Sequence, residues 1–116
     1  MTLLEVDQVV VLEPHGDLRE GTECDDLERA LTALAGQGRR VVADLSATHV
    51  LSARGLGILA AAQRAASRHG GRIAICGANR FERWLLVKAR LSEVLSIHDS
   101  RASALRHLAQ ASGAGM

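Results

Sequence analysis

The chain has 116 residues, of which 47% are hydrophobic and 23% charged, and its formal net charge is +1. This composition is typical of one globular domain rather than a disordered chain, and the balanced charge gives no global electrostatic reason to expect nucleic acid. One Phe, one Trp and no Tyr leave little to stack bases on, which argues further against single-stranded nucleic acid.

Metal, cofactor and membrane signals are missing from the sequence. The cysteines, Cys24 and Cys76, show no ligand spacing and are predicted to be buried thiols of a reducing cytosol. None of the five histidines has HxH or HExxH spacing, so no metal site and no cofactor are predicted. No segment has the length or pattern of a membrane span or a signal peptide, so we expect a cytoplasmic protein without direct membrane insertion.

The chain opens with two strands followed by a helix. Strands are predicted at residues 2–6 and 8–13, because their β-branched residues disfavour helix. Residues 14–17 should end the second strand, and a helix should follow with Thr22 as its N-cap. Apolar residues at helical spacing continue this helix as far as Gly36: Cys24, Leu27, Leu31 and Leu34.

The middle of the chain passes from a buried strand to a second helix. The apolar run at 41–45 does not alternate, which is typical of a strand covered on both faces. A connector containing Val50-Leu51 then leads to Ser52–Gly55, and a helix is predicted from about Leu56 to His69. Backbone N–H groups and side chains at such a junction are accessible at the sheet edge, so we predict the functional site there.

Two shorter units complete the chain. A strand is predicted at 72–76, and Asn79 should cap a third helix through a capping box with Glu82. Phe81, Trp84 and Leu85 are predicted to supply the packing surface of that helix. A weak strand at 95–97 and a last helix capped by Ser100 follow, with Ala104, Leu105 and Leu108 packing inward. The domain is expected to span 1–110, with a flexible C-terminal tail at 111–116.

This order predicts a single α/β domain with a mixed sheet of four to five strands and about four helices. No catalytic set is evident. Asp44 is interpreted as an organiser of the loop after its strand, because no paired base or nucleophile can be named for it. Ser46, Ser52 and His49 could form a triad with Asp44 on paper, but only their nearness in sequence supports it. We therefore do not expect an enzyme.

The run VVADLSATHVLSARGLGILAAAQRAASRHGGRIAICG at 41–77 resembles the STAS domain of bacterial anti-sigma factor antagonists. That family has an apolar strand ending in Asp-Leu-Ser, a link, an Asp-Ser-Ser-Gly-Leu junction, a helix, Gly-Gly and another strand. Gly16-Asp17-Leu18 and Asp99-Ser100 also fit, so the likeness covers nearly the whole chain. The resemblance implies a small cytoplasmic regulator of transcription that binds an anti-sigma factor with a histidine-kinase-like ATPase fold.

The chain departs from this family where regulation takes place. The family's Asp and first Ser fall on Ser52 and Ala53, and its phosphorylated Ser falls on Arg54, while Gly55 and Leu56 are kept. An arginine has no hydroxyl to accept a phosphoryl group, so the usual phosphoswitch should not operate. Ser52 and Thr48 remain as displaced acceptors, but we expect a constitutive binder or a module regulated through its partner.

The second helix has two apolar stripes, and one is predicted to be exposed for partner binding. Leu56, Leu59, Ala60 and Gln63 share one face; the opposite face, together with the junction, forms the predicted partner-binding set: Ser52, Ala53, Arg54, Gly55, Ile58, Ala61, Ala65 and Arg68. Replacing Ile58 or Arg54 by Glu should then abolish capture without affecting thermal unfolding. The alternative is a helix buried on two sides.

Two other functions remain open. A STAS scaffold subunit of a stressosome-like or lipid-transport ABC complex would bind other STAS proteins or transporter subunits and need no phosphoswitch. A small-ligand sensor would need more convergent polar groups than the junction offers.

Overall fold

A computed structural model describes residues 1–18 and 21–113. Its strands are β1 (Thr2–Val6), β2 (Val9–Glu13), β3 (Gly16–Leu18), β4 (Arg40–Asp44), β5 (Thr48–Leu51), β6 (Arg72–Cys76) and β7 (Ser96–His98). Its helices are α1 (Thr22–Gly36), α2 (Ala53–Arg68), α3 (Arg80–Lys88) and α4 (Arg101–Gly113), and a short 3₁₀ turn spans Leu91–Glu93.

The main sheet has the strand order β1-β2-β4-β6-β7. β1 pairs with β2 in the antiparallel sense, and the other neighbours are parallel. The central register places Val41 opposite Val10 on one side and Ile73 on the other. The predicted mixed α/β architecture is therefore confirmed.

Helices cover both faces of this sheet. Val41 and Ala43 belong to the larger core, which they share with α1, α2 and Leu86 of α3. Val42 faces the opposite way and packs in a smaller core with Ala104 and Leu108 of α4. The non-alternating apolar run of β4 follows from this arrangement, because both faces of a parallel strand are buried.

A second, two-stranded sheet lies beside the main one. β3 and β5 pair in parallel, with Asp17 opposite Val50 and Leu18 opposite Leu51. β3 is missing from the elements predicted from the sequence, in which residues 14–17 only end the second strand, and the expectation that Val50-Leu51 lies in a connector is wrong. Strands of three and four residues have too few positions to show a period, and their partners lie about 30 residues apart in sequence.

The helix starts agree with the sequence at two positions and differ at two. Asn79 and Glu82 form the predicted capping box, with both N–H···O distances 2.8 Å, and the Ser100 hydroxyl accepts from the backbone N–H of Ser103. For α1, Gly21 rather than Thr22 is the N-cap, and no side chain caps the helix. α2 begins at Ala53, three residues before the predicted start.

Helix α3 does not pack through its aromatic residues. Phe81 is 63% exposed and Trp84 is 53% exposed. The buried residues of α3 are Glu82 and Leu86. The predicted packing role of Phe81 and Trp84 is wrong, because the capping box turns Glu82 toward the protein and the aromatic positions then fall on the outer arc. Burial raises the pKa of Glu82.

Helix α4 continues to Gly113, so the tail predicted from residue 111 would start inside a helix, and residues 114–116 lie outside the described part. Within residues 1–18 and 21–113, no helix has both the length and the apolar character needed to cross a bilayer.

Candidate interaction site at the start of helix α2

Ser52 fixes the junction between β5 and α2. Its backbone N–H and its hydroxyl both donate to the carbonyl of Leu18, at 3.1 and 2.7 Å. The same hydroxyl accepts from the N–H of Gly55 at 3.3 Å, so Ser52 is the N-cap of α2. The hydroxyl therefore acts as both donor and acceptor in holding α2 to β3.

Gly55 allows the first turn of α2 to approach β3 and β5. A Cβ atom at this position would lie 2.8 Å from Leu51 Cδ1 and 3.2 Å from the Leu18 carbonyl oxygen. Because Gly55 is itself buried, a larger residue would push the helix away from the two strands.

Arg54 lies one residue before Gly55 and reaches across to α1. Its Nη2 is 2.6 Å from Asp25 Oδ1 and 3.5 Å from Glu28 Oε1. The hydrogen bond to Asp25 raises the pKa of the guanidinium. A cation is unfavourable at a helix N-terminus, so the two acids of α1 offset the dipole of α2. The side chain stays 30% exposed, so Arg54 is anchored at the surface rather than enclosed in the core.

The predicted partner-binding stripe borders a cleft between α1 and α2. The cleft has a volume of about 250 Å³, and Ile58, Ala61, Ala65 and Arg68 line it from the α2 side. Ala61 and Arg68 are exposed and Ala65 is half-buried, but Ile58 is only 6% exposed. The expectation of an exposed stripe is therefore wrong at Ile58, because α1 packs against this side of α2 while the sheet covers Leu59.

Asp44 lies at the end of β4 in a second polar cluster. Its Oδ1 accepts from the backbone N–H and the hydroxyl of Ser46 at 3.0 and 2.6 Å, and its Oδ2 accepts from Arg101 Nε at 2.8 Å. Arg101 also donates to Glu13 at 2.8 Å. Burial alone would raise the pKa of Asp44, but the hydrogen bonds from Ser46 and Arg101 outweigh it and hold this pKa below its ordinary value.

These contacts agree with the interpretation of Asp44 as an organiser of the loop after β4. Its ionised carboxylate is matched by fixed donors that join β4, its loop and α4. The nearby Cys76 thiol is buried, and burial together with the charge of Asp44 raises its pKa to about 12, so it is protonated at neutral pH. The triad considered from the sequence is not assembled. The Ser52 hydroxyl donates to the Leu18 carbonyl, and the Ser46 hydroxyl donates directly to Asp44. No group of metal-binding side chains occurs in the part of the chain that the structure describes.

The mixed sheet, its helix layers and this strand-to-helix junction define a single α/β module. The STAS domain model matches residues 1–104, and the chain belongs to the STAS domain family. A comparison with curated protein sequences finds no match.

Solved structures share this fold. An anti-sigma factor antagonist from Mycobacterium paratuberculosis is 23% identical, with a TM-score of 0.80 over 92% of this chain and 91% of that one. The STAS domain of a SulP transporter from Vibrio cholerae is 16% identical, with a TM-score of 0.74 over 96% and 88%. The phosphorylated form of the Bacillus cell fate determinant SpoIIAA is 15% identical, with a TM-score of 0.71 over 90% and 96%.

The sequence did not reveal what holds Arg54 or Asp44. Arg54 binds an acid 29 residues earlier, and Asp44 binds an arginine 57 residues later. For Arg54, the available signal was the pair Asp25 and Glu28, which lie three residues apart on the exposed side of α1.

Proposed function

We propose that this protein is a non-enzymatic regulator that captures an anti-sigma factor or a related ATPase-fold kinase through the start of α2, without a serine phosphoswitch and without a cofactor. The observation that carries the proposal is the Arg54 guanidinium, which is held against Asp25. It occupies the position at which the anti-sigma factor antagonists that the sequence resembles carry a phosphorylated serine. Its fixed charge and missing hydroxyl leave this position in one chemical state. The proposed place of action is the bacterial cytoplasm.

The proposed contact surface follows the exposed side of α2. Ala53, Gly57 and Ala61 recur every four residues on that side, and Arg64 and Arg68 flank its later part. Small side chains allow a partner backbone to approach closely, and arginines are enriched in protein interfaces. Ser52, Gly55, Ile58 and Ala65 then serve mainly to shape this surface from beneath.

Neither displaced hydroxyl is presented for phosphoryl transfer. Ser52 Oγ donates to the Leu18 carbonyl, and Thr48, only 4% exposed, donates its hydroxyl to the Pro14 carbonyl at 3.3 Å. Transfer needs a free oxygen in line with the γ-phosphate, so both residues would first have to leave these bonds.

Incubation with the partner kinase and ATP is therefore expected to leave the intact mass unchanged. The kinase's own serine-containing antagonist, treated in parallel, should gain one phosphate and so prove the kinase active. A phosphate on Ser52 or Thr48, located by fragmentation of the protein, would contradict the claim that the switch is silent.

Arg54→Glu is expected to weaken capture of the ATPase-fold partner at least about tenfold, because it reverses a charge at the N-terminal end of the proposed surface. Folding should persist, because a carboxylate is favourable at the N-terminus of α2 and offsets the repulsion from Asp25 and Glu28. Titration calorimetry with the purified partner would measure the affinity. Arg106→Glu, on the opposite side of the sheet, is the charge-matched control and should bind like the wild type.

A scaffold role is the alternative, since a position that cannot be phosphorylated also suits a permanent subunit. Affinity purification followed by identification of the bound chains separates the two proposals. Recovery of STAS chains or transporter subunits in place of an ATPase-fold regulator would favour the scaffold and overturn the first proposal.

A further inference from the structure

The outer arc of α3 carries an apolar and basic surface that neither the fold nor the α2 site uses. We call it the α3 ridge; it consists of Arg80, Phe81, Trp84, Val87 and Lys88. At about 100° per residue these side chains fall within about 120° of the helix circumference, and no acidic residue lies among them. The buried residues Glu82 and Leu86 occupy the opposite side.

The side chains of the ridge are ordered against one another. The rings of Phe81 and Trp84 stack with their centroids 5.9 Å apart and their planes inclined by 16°. Lys88 Nζ lies 5.7 Å from the centroid of the Trp84 ring, and Val87 is 59% exposed. These two rings are the only Phe and Trp of the chain, so every Phe, Tyr and Trp side chain of the protein is on its surface. A contiguous exposed patch of this kind marks an interaction site.

The valines restrict the chemistry of the occupant. Val87 lies within the ridge, and Val94, which follows the neighbouring 3₁₀ turn, is 57% exposed. Valine side chains cannot stack on bases. An occupant that offers aliphatic surface as well as negative charge therefore fits this patch better than nucleic acid does.

Charge is divided unevenly along the chain, although the net charge is only +1. Residues 1–36 carry nine Asp and Glu against two Arg, whereas residues 63–94 carry seven Arg and Lys against two Glu, of which Glu82 is buried. α1 packs on one side of α2, and α3 packs against the 3₁₀ turn near β7. The acidic α1 and the basic α3 thus pack against different elements of the helix layer.

The cations of the basic end cover a wide area. Arg80, Lys88 and Arg90 are exposed around the ridge, and Arg64, Arg68 and Arg72 are exposed on α2 and β6. None of these six forms an ion pair among the described residues, and Arg83 alone of the seven pairs with Asp99. A broad cationic surface with protruding rings matches an extended anionic plane better than a single acidic pocket.

We propose that the α3 ridge binds peripherally to the surface of an anionic phospholipid bilayer. The rings of Phe81 and Trp84 enter the headgroup region with Val87, while Arg80 and Lys88 extend their charged ends to the lipid phosphates. A single nine-residue helix gives reversible attachment rather than anchoring. This inference does not depend on the function proposed for α2.

Trp84 is the only tryptophan, so its fluorescence reports on this surface directly. With vesicles of phosphatidylglycerol and phosphatidylcholine at low salt, we expect its emission to shift to the blue and to be quenched by brominated acyl chains. Vesicles of phosphatidylcholine alone, or high salt, should remove most of the effect.

Matched variants localise the effect. Phe81→Ser should weaken vesicle binding about tenfold, and Lys88→Glu about thirtyfold. The controls are Leu3→Ser, an equally exposed apolar residue on β1, and Arg106→Glu on α4; both should bind like the wild type.

Three results would overturn the proposal. The first is no change in Trp84 emission with anionic vesicles at low salt. The second is an equal loss of binding in Phe81→Ser and Leu3→Ser. The third is a wild-type protein that does not bind vesicles, together with a Phe81→Ser variant that no longer captures the purified ATPase-fold partner. That result would make the ridge a protein contact. Failure of Arg54→Glu to affect capture would concern only the α2 surface.

Discussion

Ile58→Glu is expected to destabilise the protein severely. Ile58 lies on the side of α2 that packs against α1 and is 6% exposed, so glutamate would lose the packing of the isoleucine and bury a carboxylate without a partner. Core truncation alone costs about 2–5 kcal/mol and an unpaired buried charge adds several more, so the loss should be at least about 5 kcal/mol. A domain of this size is stable by about 6–17 kcal/mol, so the substitution removes a large fraction of its stability. Urea titration followed by circular dichroism measures the change.

Ala61→Glu is the matched control for this variant. Ala61 lies three residues later in the same stripe but is exposed. The free energy of unfolding of the Ala61→Glu protein should therefore differ from that of the wild type by no more than about 0.5 kcal/mol. An unchanged urea midpoint for Ile58→Glu would contradict the packing of α1 on α2. The expectation from sequence that Ile58→Glu spares folding is therefore reversed, and Ala61→Glu becomes the variant that probes partner capture without unfolding.

Gly77→Ala is the second variant with a large expected effect. Gly77 has φ +72°, and a Cβ atom there would lie 2.6 Å from Asp44 Oδ1 and 2.7 Å from the Ser46 nitrogen. The methyl group would have to displace Ser46 or the carboxylate that Arg101 also holds. We expect destabilisation of about 3–5 kcal/mol, measured as a lower urea midpoint with an unchanged m-value.

Gly70→Ala separates the steric effect from the backbone effect. Gly70 has a similar φ of +80°, but a Cβ atom would meet nothing within 4 Å. The cost should then be only the left-handed backbone, about 1–2 kcal/mol. Equal losses for the two variants would show that the contact of residue 77 with the Asp44 cluster has no energetic weight.

The order of the main elements could be predicted because each has a local signal. The non-alternating run of β4 and the Asn79 capping box are legible within a few residues. The β3–β5 pair and the ion pair of Arg54 with Asp25 are not, because each depends on groups about 30 residues apart that only the fold brings together.

The outer position of Phe81 and Trp84 could not be predicted from propensity. Aromatic side chains usually dominate cores, and helical spacing indicates which residues share a face but not which face is covered. The face of α3 is decided by Leu86, which joins the core, and by Glu82, which folds back on Asn79.

The β3–β5 pair lies outside the main sheet and has consequences for dynamics. Two short strands have little stability of their own, so the amide hydrogens of β3 and β5 should exchange with solvent through local opening. The amide hydrogens of β4 and β6 should exchange only through global unfolding. The segment that contains residues 52–54 can thus open locally as a separate cooperative unit. A ligand clamped there would slow isotope exchange locally and leave the protection of the central strands unchanged.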